Sequence, residues 1–278
     1  MTHPIETRRR SVLPGFGLSA AITSLVVTAL VVFPLAVLVM RAASLGPAEF
    51  LAAAWTPRAR AAYAVSVGAS AAAAVISSVL GLLVAWVLTR IDFPGRRLLD
   101  ALVDVPLALP TAVAGLVYST LYVERGWLGR FLVPLGVQGA YSRLGIVLVL
   151  VFVSLTFAVR VVQPVLDSLD RDTEEAARIL GASRLQTFVR VVFPAIFPAV
   201  LTGFALALAR ALGEYGSVVF ISGNMPFKTE IAPVLIVSRL EEFAYAEATT
   251  IAVVLLAMSI TLLVVVNGLQ QRVARNAQ

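Results

Sequence analysis

The chain has 278 residues, 59% of them hydrophobic and only 14% charged, with a formal net charge of +6. A soluble domain carries about 25% charged residues, so this composition excludes an ordinary soluble enzyme or binding module. The absence of cysteine excludes a disulfide framework and a thiolate metal site, and the single histidine, His3, reads as a solvated residue near the terminus.

The apolar residues come in blocks, and the blocks set the class. A helix needs roughly 20 residues to cross the hydrocarbon core. In lipid its backbone groups have to be bonded internally, so helix is the expected state of every block. A tail over 1–15 carries Arg8, Arg9 and Arg10, the longest basic run, which is too short to suggest a nucleic-acid patch. Thirty uncharged residues then separate Arg10 from Arg41. A signal-peptide apolar region holds about 7–15, so this block is read as a first span near 16–40. Twenty-nine uncharged residues between Arg60 and Arg90 give a second span near 62–88. Its small residues recur at four-residue steps, Ser66, Ser70, Ala74 and Ser78 on one ridge and Ala69, Ala73, Ser77 and Gly81 on the next. That spacing lets helix backbones approach closely, which fits either ordinary packing or an inner helix beside a transport pathway.

Nineteen uncharged residues between Asp104 and Glu124 give a third span near 105–123. It opens on Asp104-Val-Pro-Leu-Ala-Leu-Pro110, with Pro106 and Pro110 too close for an undisturbed helix. Irregular backbone at membrane depth is tolerated where it is buried or lines a cavity, so the two prolines are candidate pathway residues or a simple irregularity at the helix start. A fourth span near 144–163 is apolar apart from Arg160.

The stretch Asp172-Thr-Glu-Glu-Ala-Ala-Arg-Ile-Leu-Gly181-Ala-Ser-Arg-Leu-Gln186 reads as helix, sharp turn, helix. Glu174 to Arg178 are strong helix formers, with acids in the first turn where the helix dipole favours them. Gly181 stands where a left-handed C-terminal cap is wanted. Ser183 begins Ser-x-x-Gln, a capping-box pattern. Leu185, Phe188, Val189 and Val192 then give the second arm one apolar face, and Pro194 and Pro198 mark the start of the fifth span.

The fifth span, near 196–220, carries Arg210 and Glu214, four residues apart and therefore on one helix face. A charge near the bilayer centre costs roughly 2.5–3.5 kcal/mol. The pair is either a mutual ion pair and packing contact or a pathway gate, in which Arg210 attracts an oxyanion and Glu214 keeps it from binding too tightly. Gly213, Gly216 and Gly223 serve close helix approach or plain packing. Twenty-four uncharged residues between Glu247 and Arg272 give a sixth span near 248–268, followed by a tail over 271–278. The expected whole is an all-α membrane protein, with a six-helix domain over 16–270 and a hairpin at 170–195.

With both termini in the cytoplasm, thirteen cations fall on the cytoplasmic side and eight on the other. The bias has the sign of the positive-inside rule.

The hairpin carries a specific resemblance. Glu175-Ala176-Ala177, with Gly181, Ala182 and Ser183 after it and then Phe188 and Pro194, resembles the EAA loop of ABC-importer permeases. The resemblance implies a type I importer core plus one N-terminal helix, with the loop as a coupling helix seated in a cleft of a cytoplasmic ATPase. Val12 to Ser19, Phe93 to Gly115, Val161 to Leu166 and Arg210 to Glu230 are similar to sulfate/thiosulfate permeases of the T type. That likeness implies a second related permease subunit, two ATPase copies using ATP and Mg²⁺, an extracytoplasmic binding protein and an inner-membrane location. Molybdate or tungstate permeases share part of the pattern.

A P-loop needs lysine after glycine, whereas the one lysine here, Lys228, follows Phe227. Energy is therefore expected from another polypeptide. The rival is a gradient-driven carrier, which would want inverted repeats with matching broken helices; a non-transporting scaffold is the third class.

Overall fold

The computed structural model describes residues 16–276, with side chains to Arg272. His3, the Arg8–Arg10 run and the tail over 1–15 lie outside the described residues. Every regular element among the described residues is helical. In chain order these are α1 (Phe16–Ala43), α2 (Pro47–Ala54), α3 (Pro57–Arg90), α4 (Arg96–Ala108), α5 (Thr111–Tyr122), α6 (Arg143–Ser168), α7 (Arg171–Ile179), α8 (Arg184–Leu212), α9 (Ala232–Glu241) and α10 (Tyr245–Asn276). Five of them are long and apolar enough to cross a membrane, and six spans result when the bent pair α4–α5 counts as one.

The helix starts are written locally. Thr56 caps α3 by accepting from the Ala59 N–H, and Pro57 follows where a missing donor costs nothing. Ser142 does the same for α6 through the Gly145 N–H. Proline inside a long helix is absorbed by a wider turn. Residues Thr28–Val32 and Phe188–Val192 form π-turns directly before the helical segments that carry Pro34 and Pro194. There Phe33 N–H reaches back to Thr28 O and Phe193 N–H to Phe188 O, which makes room for the proline ring and its missing donor.

Two expectations are corrected here. The third span is not one helix over 105–123: α4 and α5 meet at Leu109–Pro110 with a bend of 107°. Pro110 has no N–H to continue the ladder and disfavours the helical conformation at Leu109, which turns extended (ψ 129°). The fifth span does not run over 196–220. It begins at Arg184, passes through Pro194 and Pro198 without a boundary, and ends at Leu212. The second arm of the hairpin is thus the foot of a membrane helix.

Direction follows from contacts at the helix ends. At one face Arg90, the last residue of α3, donates to Leu169 O just past α6, and Arg171 donates to Thr89 O. At the other face Arg58, at the start of α3, holds Glu230 in a bidentate contact (2.7 and 2.9 Å), and Arg143, at the start of α6, donates to the neighbouring Lys228 O. Helices α3 and α6 therefore run parallel, and the chain between Arg90 and Arg143 has to return from one face to the other. The bent pair, taken together, makes that crossing.

The core lies where α3, α6 and α8 meet. All eight residues of the two small-residue ridges on α3 are buried, so the ridges are packing surfaces. Ser77 and Ser154 hydroxyls bond across α3 and α6 at 2.8 Å, and Ser66 Oγ accepts the Ala232 N–H of α9 at 2.7 Å. The three helices approach one another closely at Ala158 of α6. A methyl group at Gly81 of α3 would come within 2.7 Å of its Cβ, and one at Gly203 of α8 within 3.2 Å of its Cα. In lipid such van der Waals fit holds helices together because the apolar surround offers no hydrophobic drive between them. Gly81→Leu or Ala158→Leu therefore overpacks the three-helix crossing, at a cost of about 1–3 kcal/mol or more. The expected outcome is a lower melting temperature and lower yield of the detergent-purified protein, whereas Val79→Leu, on the exposed side of α3, changes neither.

Candidate coupling and pathway sites

The hairpin is formed as its local sequence demands. Asp170 caps α7 through the Asp172 N–H. At the other end Gly181 adopts φ +85°, the Gly181 N–H donates to Arg178 O at 2.9 Å, and the Ala182 N–H donates to Ala177 O at 3.0 Å. This is the double closure of a Schellman cap. Ser183 Oγ then accepts the Gln186 N–H while Gln186 Oε1 accepts the Ser183 N–H, completing the capping box. Glu175 and Ala176 are exposed on α7 and Ala177 is half-buried, and the turn presents Ile179 and Leu180, each 87% exposed. The expected single apolar face of the second arm is divided. Phe188 and Val192 pack inward against Trp86 and Leu88, while Leu185 and Val189 stay exposed beside the tip. Two large aliphatic side chains at the end of a polar hairpin, beyond the ends of α3 and α6, form the kind of apolar patch that marks a protein contact.

Arg210 and Glu214 do pair, at 2.5 Å. The pair is unequal: the Glu214 side chain is 3% exposed and that of Arg210 31%. Glu214 also accepts from the Ser217 N–H at 2.9 Å and the Ser217 hydroxyl at 3.0 Å, so it caps the short turn Val218–Ile221 that follows the break after α8. That break abuts the other one. A Cβ at Gly115 of α5 would strike Ser217 O, and one at Gly216 would strike the Thr111 hydroxyl. Pro110 and Glu214 are therefore brought to one junction, where two interrupted helices lie backbone to backbone. Gly213 meets nothing but its own helix, and Gly223 serves a turn at φ +70° against Tyr141. Pro106 lies apart, in the first turn of Val105–Ala108, where its missing donor is harmless.

One charged cluster was not foreseen. Arg160, the one charge in the fourth apolar block, donates to both Asp104 oxygens (2.8 and 2.5 Å), to Asp100 Oδ1 (2.6 Å) and to Asp100 O (2.8 Å), with Gln163 beside it. Together with the Thr156 hydroxyl bonded to Val103 O at 2.6 Å, this clamps α4 along α6. The signal was present as Asp100 and Asp104 one helical turn apart and a lone arginine in an apolar block. What the sequence lacked was the bend that brings α4 beside α6.

These features define a class. The chain overlays a chain of a bacterial ABC transporter involved in the import of the acidic polysaccharide alginate, with a TM-score of 0.74 over 93% of this chain and 96% of that one, at 16% identity. A methionine ABC transporter, MetNI, overlays with a TM-score of 0.54 over 80% and 99%, at 17% identity. The fold is that of an ABC-importer permease. Residues 77–278 match the binding-protein-dependent transport system inner membrane component family, and the chain belongs to it. It is similar to sulfate transport system permease proteins named CysT: 49% identical to that of Synechocystis sp. over 96% of this chain and 93% of the relative, and 47% identical to that of Salmonella typhimurium over 96% of each. The Escherichia coli protein of the same name is 46% identical over 96% of each.

Two outcomes follow from the site geometry. Gly181→Ala forces a Cβ into the left-handed region at about 1–2 kcal/mol, so the hairpin turn loosens, seen as faster proteolytic cleavage between α7 and α8 with the rest of the protein intact. Glu214→Ala strands the buried Ser217 donors at about 1–3 kcal/mol and lowers the melting temperature in detergent.

Proposed function

We propose that this chain is the membrane-spanning permease subunit of an ATP-driven importer that carries sulfate inward by alternating access. The observation that carries the proposal is the doubly capped hairpin with its exposed Ile179–Leu180 tip, on a chain whose relatives of nearly full coverage are named sulfate transport permeases. Thiosulfate is a second substrate on this reading, since it too is a tetrahedral dianion.

The hairpin is the coupling element. Glu175, Ala176 and Ala177 form its partner-facing side, and Gly181, Ala182 and Ser183 hold the turn that sets the angle between its arms. A cytoplasmic ATPase, in two copies, receives the tip and handles ATP and Mg²⁺. The chemistry here supports that division: the sole lysine follows Phe227, so no phosphate-binding loop exists to burn nucleotide on this chain. The hairpin face is then cytoplasmic, as are both termini, and the membrane is the bacterial inner membrane. The Arg90, Arg96, Arg97, Arg171, Arg178 and Arg184 cluster on that face accords with the positive-inside rule. A second, related permease completes the pathway, and an extracytoplasmic binding protein delivers the anion to the opposite face.

At the junction of broken helices, Glu214 is committed to Ser217 and Arg210 keeps about a third of its side chain open. The partly open arginine is the group suited to a passing oxyanion, and the carboxylate beside it keeps the anion from lodging. No purely apolar lining would let a dianion pass, since an unpaired charge in hydrocarbon is costly.

The test is uptake of ³⁵S-sulfate into proteoliposomes holding the full complex with its binding protein. Uptake is expected to require ATP, to be competed by thiosulfate and to resist molybdate. Dominant competition by molybdate moves the substrate to that oxyanion, and uptake driven by an ion gradient without ATP removes the importer reading. Arg210→Ala is expected to assemble normally and to lose at least tenfold in uptake; normal uptake would return the residue to a packing role.

A further inference from the structure

The two adjacent glutamates of the hairpin have opposite fates. Glu175 is exposed, whereas Glu174 is 7% exposed and is the one buried residue of α7. Its carboxylate lies 2.9 Å from Nη2 of Arg90, and both side chains are 9% exposed. Arg90 is the last residue of α3, the long helix at the centre of the three-helix core. The same guanidinium group donates to Leu169 O in the link between α6 and α7, and it lies 6.0 Å from the Trp86 ring. Trp86 in turn meets Phe188, in the foot of α8, edge to face at 5.3 Å. Arg171 adds a parallel tie by donating to Thr89 O. One arginine thus touches the hairpin, the end of α6 and, through Trp86, the foot of α8.

The contact also has spare bonding capacity. The 2.9 Å approach is an ion pair without hydrogen-bond geometry, and Arg90 Nε and Glu174 Oε1 are both buried without a hydrogen-bond partner among the described residues. Arginine and carboxylate make two parallel bonds when they face each other squarely. A buried pair with polar atoms left unbonded calls for an explanation beyond stability, because unsatisfied buried polar groups are rare and costly. Beside the pair lies a partly open pocket of about 430 Å³, lined by Trp86, Arg90, Glu174, Arg178 and Phe188.

We propose that Arg90 and Glu174 form the internal joint through which movement of the hairpin is passed to α3, so that Glu175 faces the partner and Glu174 faces the membrane helices. The two are positioning residues: they bind neither nucleotide nor anion. The joint rests on the reading of α7–α8 as the coupling element. Without it, α7 keeps only its flanking turns, the Arg171 bond and its packing on the foot of α8, and a push on the tip is taken up by bending at Leu169–Asp170 and Leu180–Ser183.

The test uses the complete complex with its ATPases, second permease and binding protein in proteoliposomes, and measures sulfate moved per ATP hydrolysed. Glu174→Gln, which keeps the side chain's volume, is expected to retain ATPase capture and ATP hydrolysis within about twofold. The same variant is expected to lose at least tenfold in sulfate per ATP. The exchange Arg90→Glu with Glu174→Arg is expected to recover at least threefold of that loss over either single variant. Retention of sulfate per ATP within twofold in Glu174→Gln, or no recovery in the exchanged pair, overturns the joint while leaving the importer reading intact. If the single variants do not assemble, an exchanged pair that restores assembly with full coupling supports the joint, and one that restores assembly without coupling overturns it. A wild-type complex that captures no ATPase overturns both readings together.

Discussion

A helix that breaks between the two faces of a membrane exposes backbone donors and acceptors that lipid cannot satisfy, and this chain breaks two helices. The breaks are set against each other. Leu109–Pro110 interrupts the third crossing, Gly213–Ser217 ends the fifth, and Thr111 and Gly115 lie on Gly216 and Ser217 with no room for a side chain between them. Each break supplies part of the other's surroundings, and Glu214 closes the second by capping the turn that follows it. The rest of the bundle is arranged to hold this junction: α3, α6 and α8 cross on Ala158, and Arg160 clamps α4 along α6 so that the bend at Pro110 points one way.

Charge inside the bundle follows the same logic. A lone ion in hydrocarbon is expensive, and three of the buried or half-buried arginines are spent on ties between elements distant in sequence. Arg160 binds α4 to α6, Arg58 binds the start of α3 to the loop before α9, and Arg90 binds the end of α3 to the hairpin. Arg210 differs in that its tie is to the end of its own helix.

The hairpin was legible residue by residue because its determinants are local. A glycine at φ +85°, a Schellman closure and a capping box each need residues no more than five apart, and Gly181, Ala182, Ser183 and Gln186 supply them. The same holds for the caps at Thr56 and Ser142. Pro194 and Pro198 misled for the opposite reason. Whether a proline ends a helix or is absorbed by a π-turn depends on what packs around it, and here Phe188 and Val192 are held by Trp86, Leu88 and Phe193.

What the sequence determined by itself was the class: long uncharged blocks admit only spanning helices, and short-range cap chemistry admits only one hairpin turn at Gly181. Tertiary structure alone decided which charges meet, that the third crossing is bent, and that of two neighbouring glutamates one turns inward and one outward. The physical reason is range. Hydrophobicity and capping act within a few residues or a single block, whereas the partners of Arg58, Arg90 and Arg160 lie between 56 and 172 positions away along the chain and are chosen by how the helices pack.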